Sequence, residues 1–301
     1  MKYILVLLGA WCVIALSCTK EKTDYHPDTT PGAPGHAAFN EAATAHSGGY
    51  DIHIQTPSGA FHQGYNAMRV HLTDDRGNTA DGVADVVLRP LAATADGGQV
   101  LGTAPHPEAL AYRPDSAYFD GYAVFTAVSD AQQAWTLDIH FTAAGEPHAV
   151  QLPITVTPQP NPNRGMAAFT GNDGTDYLVA LVAPQQPQVG ENDLVAAIYR
   201  REAGSTPPWI YAKADDYTLL LDPRMPEPSM GNHSSPNNVD LTQHDDGLYH
   251  GVVNYTMTGN WTLNFILLDP DGNVVKGTEV PADFTPGQEG VRSELHIDIL
   301  F

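Results

Sequence analysis

The chain repeats itself in register. Gly64-x-Asn66-x-Met68 recurs as Gly190-x-Asn192-x-Leu194, Asp120-Gly121 as Asp246-Gly247, and Trp135-Thr136-Leu137 as Trp261-Thr262-Leu263. Gly64 and Gly190, Gly121 and Gly247, and Trp135 and Trp261 are each 126 positions apart. A constant offset held over so long a stretch means one unit duplicated, of roughly 110–125 residues, a normal size for a β-sandwich. Specialised chemistry is then to be sought where the two copies differ.

Period-two patterning sets the class of fold. Ile52 and Ile54 alternate with Asp51, His53 and Gln55; Met68, Val70 and Leu72 with Arg69, His71 and Thr73; Leu137, Ile139 and Phe141 with Asp138 and His140. Such alternation marks strands with one buried face. Turn-forming clusters punctuate them at 74–78, 96–98 and Asp120-Gly121, and no stretch has the period of a long amphipathic helix. The expected architecture is all-β: two tandem immunoglobulin-like sandwiches, the first over 50–158 and the second over 173–301, joined by a Pro-rich linker at 159–172. In the second copy, strands are predicted at 177–182, 194–199, 218–221, 248–255, 261–268 and 295–300, with Asp269 to Asn273 as a hairpin turn. That turn lacks the Gly position and distal Glu of a calcium loop. Trp135 and Trp261, flanked by apolar residues, are expected as the central plug of each core.

Upstream, Lys2 and the apolar run Tyr3–Leu16 read as a secretion signal over 1–17, too short for a comfortable membrane span. Ala15-Leu16-Ser17-Cys18 is similar to a lipoprotein cleavage site, with Leu16 one place late, so Cys18 is the expected lipidation site and the membrane anchor; plain cleavage and release is the other reading. Lys20 and Glu21, with no Asp after the anchor, favour the outer membrane of the cell envelope. Residues 18–49, rich in Pro, Gly, Ala and Thr, read as a disordered tether. His26, His36 and His46 recur in it every ten residues and read as ordinary polar linker residues.

Cys12 and Cys18 are the two cysteines. With the first removed and the second acylated, no thiol or disulfide is left, which excludes thiolate metal sites and cysteine catalysis. The 35 acidic against 14 basic residues argue against a nucleic-acid partner. No Gly-x-Ser-x-Gly, His-Glu-x-x-His or phosphate loop is present, so an enzyme is not expected.

The copies diverge most at 222–236. There Met225, Met230 and His233 fall within nine residues, among several prolines. Thioether and imidazole are soft to borderline donors suited to copper, and where Cys is not used thioethers are the remaining soft ligands. The first copy reads Arg89-Pro90-Leu91 and then Ala104-Pro105-His106, which sets Leu91 against Met225 and His106 against His233 and leaves no methionine. A plainer reading stands beside this one: Met225 and Met230 as gap fillers sealing the sandwich, and His233 as a solvated loop residue. His244, His250 and Met257 are further possible ligands that spacing alone does not locate, while His53, His71 and His140 read as outward-facing surface residues.

Each copy resembles the YtkA-like, or FixH-like, extracytoplasmic domain family. The likeness lies in Gly64-Tyr65-Asn66 and Gly190-Glu191-Asn192, in the Asp-Gly pairs followed by Trp-Thr-Leu, and in the stretch Pro223 to Ser234. It implies an immunoglobulin-like sandwich on a lipoprotein or membrane anchor, linked to copper handling or oxidase maturation. Carried over by position, it makes Met225, Met230 and His233 the ligands, with the first copy a spacer. Two functions follow. One is copper sequestration or delivery to a metal-receiving partner. The other is a metal-free surface module binding a protein or glycan partner through the loop holding Trp209 and Tyr211, which read equally well as a buried loop anchor.

Overall fold

The computed structural model describes residues 38–80, 82–202 and 208–301. The expected signal segment, Cys18, His26, His36 and most of the expected tether lie outside them. Among the described residues the regular structure is β, with two single-turn 3-10 helices and no α-helix. No helix there is long and apolar enough to cross a membrane.

The first half contributes β1 (Asn40–Ser47), β2 (Tyr50–Thr56), β3 (Phe61–His62), β4 (Gly64–Asp74), β5 (Ala84–Thr94), β6 (Val100–Thr103), β7 (Ala111–Arg113), β8 (Tyr118–Phe125), β9 (Gln133–Ala143), β10 (Glu146–Ile154) and β11 (Val156–Thr157). They form two facing sheets, β1-β2-β4-β8-β7 and β10-β9-β5-β6, with β3 and β11 paired at one end. The second half contributes β12 (Met166–Thr170), β13 (Asp176–Ala183), β14 (Gly190–Arg201), β15 (Tyr211–Lys213), β16 (Thr218–Met225), β17 (His233–Ser234), β18 (Val239–Gln243), β19 (Tyr249–Tyr255), β20 (Asn260–Leu268), β21 (Val274–Lys276) and β22 (Leu295–Leu300). The order β12-β13-β14-β19-β18 repeats the first sheet strand for strand, and β20 between β22 and β16, with β17 on β16, repeats the second. Here the two sheets also join, through β16 with β18.

The inner faces follow the alternation. Met68, Val70 and Leu72 on β4 meet Leu137, Ile139 and Phe141 on β9 in one core, and Leu194, Ala196 and Ile198 meet Leu263, Phe265 and Leu267 in the other. Trp135 and Trp261 are each 1 % exposed, as core plugs should be. β13 and β14 are instead buried along runs on both faces. Their outer residues Leu178, Ala180, Ala197 and Tyr199 pack on Val124, Tyr65 and Tyr122 of the first sandwich, which is why these segments read as continuous apolar runs.

The repeated Gly-x-Asn has a structural cause. Gly64 and Gly190 take positive φ (94° and 112°), a backbone state costly for side-chain-bearing residues. Each is followed by an Asn clasp. Asn66 accepts from the His62 amide at 3.0 Å and donates to the His62 carbonyl at 2.7 Å. Asn192 does the same with Gln188 at 2.9 and 2.7 Å.

Three expectations need correction. The tether was to run to 49, yet β1 begins at Asn40 and pairs with β2. Its small Ala and Thr side chains carry little apolar signal, and backbone pairing holds it. The linker was to run to 172, yet β12 occupies Met166–Thr170 and pairs with β13 as the counterpart of β1. The Asp-Gly pairs are not equivalent. Gly121 lies within β8 opposite Met68, whereas the residue opposite Leu194 is Gly251. Asp246-Gly247 sits in the preceding turn, where the Gly247 amide donates to the His244 carbonyl at 2.8 Å. The loop from β19 to β20 is shorter than its counterpart from β8 to β9, which restores the tryptophan spacing and makes the false match.

Candidate metal centre

Sheet register fixes which residues correspond. In the second sandwich Leu263 pairs with Pro223, and Met225 pairs with His233 across the β16–β17 hairpin. In the first, Leu137 pairs with Pro90, Ala92 with Trp135, and Ala92 with Gly102 across the β5–β6 hairpin. The counterpart of Met225 is therefore Ala92 rather than Leu91, and that of His233 is Gly102 rather than His106. His106 lies farther on, its Nδ1 2.7 Å from the Ala104 carbonyl oxygen. The first sandwich thus has a methyl group and a hydrogen where the second has a thioether and an imidazole.

Met225 is not a loop residue, as the sequence suggested, but the last residue of β16, 2 % exposed and packed in the core that includes Trp261 and Tyr255. A side-chain carbon on Gly259 would meet its methyl group at 2.7 Å, so the thioether lies directly beneath the β19–β20 loop. Met230 sits in the hairpin turn, half-buried on the same core. Its amide donates to Glu227 at 2.9 Å, and its carbonyl accepts from the His233 amide at 3.2 Å. The His233 ring lies 6.1 Å from that of Trp261, tilted by 60°, and its Nε2 is 2.9 Å from Thr256 Oγ1. The hairpin is fixed from outside as well: Asn232, 5 % exposed, donates to the Pro281 carbonyl at 3.0 Å, and Asn260 bonds Glu227. Met225 and His233 thus face each other across the hairpin at one end of the second sandwich, with the His233 ring beside Trp261, and Met230 packs on the same core from the hairpin turn.

The other histidines stand apart. His244 and His250 stack at 4.5 Å near the start of β19, with His250 3.0 Å from Asp246. His53 faces His71 across β2 and β4, and its Nδ1 is 2.8 Å from Glu41. His140 is on β9, in the opposite sheet, beside Asp138. His46, in β1, pairs with Asp51. Among the described residues no group of three or more His, Cys, Asp and Glu forms a metal cage.

Trp209 and Tyr211 occupy a second feature, the junction of the sandwiches. Trp209 forms a parallel bridge with Gly102: its amide donates to the Leu101 carbonyl at 2.8 Å, and its carbonyl accepts from the Thr103 amide at 3.0 Å. The Arg201 guanidinium lies over its ring at 4.8 Å. Trp209 is thus an anchor, docked on the very residue that corresponds to His233. Tyr211 lines an adjacent cleft of about 930 Å³, with Tyr65, Tyr122, His106 and the Arg113–Asp120 ion pair (3.1 Å) also on its walls. Tyr65 and Tyr122 stack at 5.3 Å. Burial lowers the His106 pKa and raises that of Tyr65.

No protein-family model and no curated protein matches this sequence. Two solved structures share a distant likeness. One is a DUF4785 family protein from Legionella pneumophila, at 10 % identity and TM-score 0.24, with 75 % of this chain and 55 % of that one covered. The other is dimeric latent PorU from Porphyromonas gingivalis, at 10 % identity and TM-score 0.26, with 82 % and 24 % covered. This chain spans about half of the first protein's length and a quarter of the second's.

Proposed function

We propose that the chain is a copper-binding protein of the cell envelope, lipid-anchored through Cys18, in which the second sandwich holds the ion and the first serves as a spacer. It sequesters copper or hands it to a receiving partner, as the YtkA-like resemblance implies. The observation that carries the reading is the asymmetry of the two sandwiches. Where the first has Ala92 and Gly102, the second has Met225 and His233 as cross-strand partners beside its core tryptophan, with Met230 on the same core.

The donor set fits the ion. Two thioethers and one imidazole suit Cu(I), which needs neither carboxylates nor water in its shell, so a buried Met225 is compatible with such a site. Thr256 supports the imidazole. With His233 Nε2–H donating to Thr256 Oγ1, Nδ1 keeps the lone pair that a metal requires. Trp261 beside the ring supplies a π face to a cation. Anaerobic Cu(I) titration of the full chain should give one tightly bound equivalent, lost in the Met225→Leu, Met230→Leu double variant. Equal binding by wild type and double variant, or none by wild type, would end the proposal.

A second reading rests on the cleft at the sandwich junction, where Tyr211 and the Tyr65–Tyr122 stack offer aromatic surface beside an ion pair to a protein or glycan partner. A glycan array and a pull-down should then respond to Tyr211→Ala and not to copper. A Tyr211→Ala protein that keeps every ligand found for wild type removes it.

A further inference from the structure

We infer that Met257 supplies a third thioether to this site and makes it selective for a soft monovalent ion, Cu(I) or Ag(I), over Zn(II) and Cu(II); the inference rests on the copper reading above. Register again identifies the position. Phe125 pairs with Gly64 and Tyr255 with Gly190, so these two residues correspond. Two residues beyond each, a loop carbonyl accepts the core tryptophan's Nε1: Ala127 from Trp135 and Met257 from Trp261, both at 3.0 Å. Met257 thus stands where the first sandwich has Ala127.

Three places around the tryptophan therefore change together: Ala92 to Met225, Gly102 to His233 and Ala127 to Met257. Each change introduces a soft or borderline donor where the first sandwich carries a methyl group or a hydrogen. The short segment 256–259 is fastened to both other donors. Thr256 lies within hydrogen-bond distance of His233, and Gly259 lies against the methyl of Met225. Met257 falls between these two attachments, and its own carbonyl is tied to Trp261. It is 38 % exposed and stands outside the apolar core, so packing does not account for a methionine here. Three thioethers with one imidazole would satisfy a d10 monovalent ion. The same set offers a poor shell to Zn(II) and Cu(II), which favour nitrogen and oxygen.

The test compares wild type with Met257→Leu in the full chain. Cu(I) affinity is measured anaerobically against a chromophoric chelator, and Ag(I) and Zn(II) affinity by calorimetry. Met257→Leu should fold as wild type does and bind Cu(I) and Ag(I) about tenfold more weakly or worse, with Zn(II) affinity unchanged. In methyl-labelled protein, Ag(I) should shift the methyl resonances of Met225, Met230 and Met257 and leave those of Met68 and Met166 in place. Cu(I) affinity unchanged in Met257→Leu but lost in Met225→Leu overturns the role of Met257 and leaves the copper reading standing. A wild-type chain that binds no Cu(I) overturns both.

Discussion

Gly102→Ala should loosen the joint between the two sandwiches. A side-chain carbon added at Gly102 would lie 2.7 Å from the Trp209 carbonyl oxygen, 2.9 Å from its amide nitrogen and 3.0 Å from its Cβ. The two nearest are backbone atoms held in the bridge, so no side-chain rotation relieves the clash. Either the strands part and the two bridge hydrogen bonds are lost, at about 0.5–1.5 kcal/mol each, or the chain strains around the extra methyl, at about 1–3 kcal/mol. Both routes lead to a loss of about 1–3 kcal/mol, against a core that the substitution does not touch. Urea unfolding followed by tryptophan fluorescence would measure it, and hydrogen exchange at the Thr103 and Trp209 amides would locate it. An Ala variant with the wild-type midpoint and undiminished protection at both amides would refute the argument that Gly102 is the docking residue.

Met225 should show two separable roles. Met225→Ala opens a cavity and is expected to cost about 2–5 kcal/mol. Met225→Leu keeps the volume and should cost less than about 1.5 kcal/mol, while still removing the sulfur; thermal unfolding of the metal-free proteins distinguishes them. Asn66→Ala and Asn192→Ala break the same clasp in the two copies, and the loss is expected at about 1–3 kcal/mol for Asn66, which is buried, and about 0.5–1.5 kcal/mol for Asn192, whose clasp is exposed, measurable by denaturant titration; a larger loss at Asn192 than at Asn66 would contradict this ordering. His106, held neutral chiefly by burial, takes up a proton in the folded protein only below its ordinary value of 6.5, whereas the unfolded chain does so near that value. Its contribution is present above that pH, falls as the pH drops below it and levels off under the folded pKa. His106→Gln should therefore flatten the decline of stability with acid, as read from unfolding midpoints between pH 7 and pH 5.

Much of the fold is legible in the sequence because each inner face is written in alternating apolar residues. β9 and β20 carry Trp135 and Trp261 near their starts, and β13, β16, β19 and β22 fall close to their predicted places. β1 escapes detection because an edge strand of small and polar residues is held by backbone hydrogen bonds, which side-chain patterning does not encode, and β12 because its five residues are too few to display an alternation. The donor set Met225, Met230 and His233 is legible as soft chemistry, but its counterparts in the first copy are not. Unequal hairpins and loops hide the register, so linear comparison sets Leu91 and His106 where strand pairing sets Ala92 and Gly102. Met257 is legible as a possible ligand, but the same length changes hide its counterpart: that Ala127 corresponds to it emerges only because the Met257 carbonyl accepts from Trp261 as that of Ala127 accepts from Trp135. Trp209 reads as a loop aromatic, and only the bridge to Gly102 identifies it as an anchor.

The central claim is that thioether sulfur and imidazole nitrogen meet on one ion at the end of the second sandwich. X-ray absorption at the copper edge of the one-to-one Cu(I) complex tests it directly. The account predicts a first shell containing more than one sulfur and a single imidazole nitrogen, with the sulfur contribution reduced in Met225→Leu. A shell of nitrogen and oxygen alone, unchanged by that substitution, would contradict it.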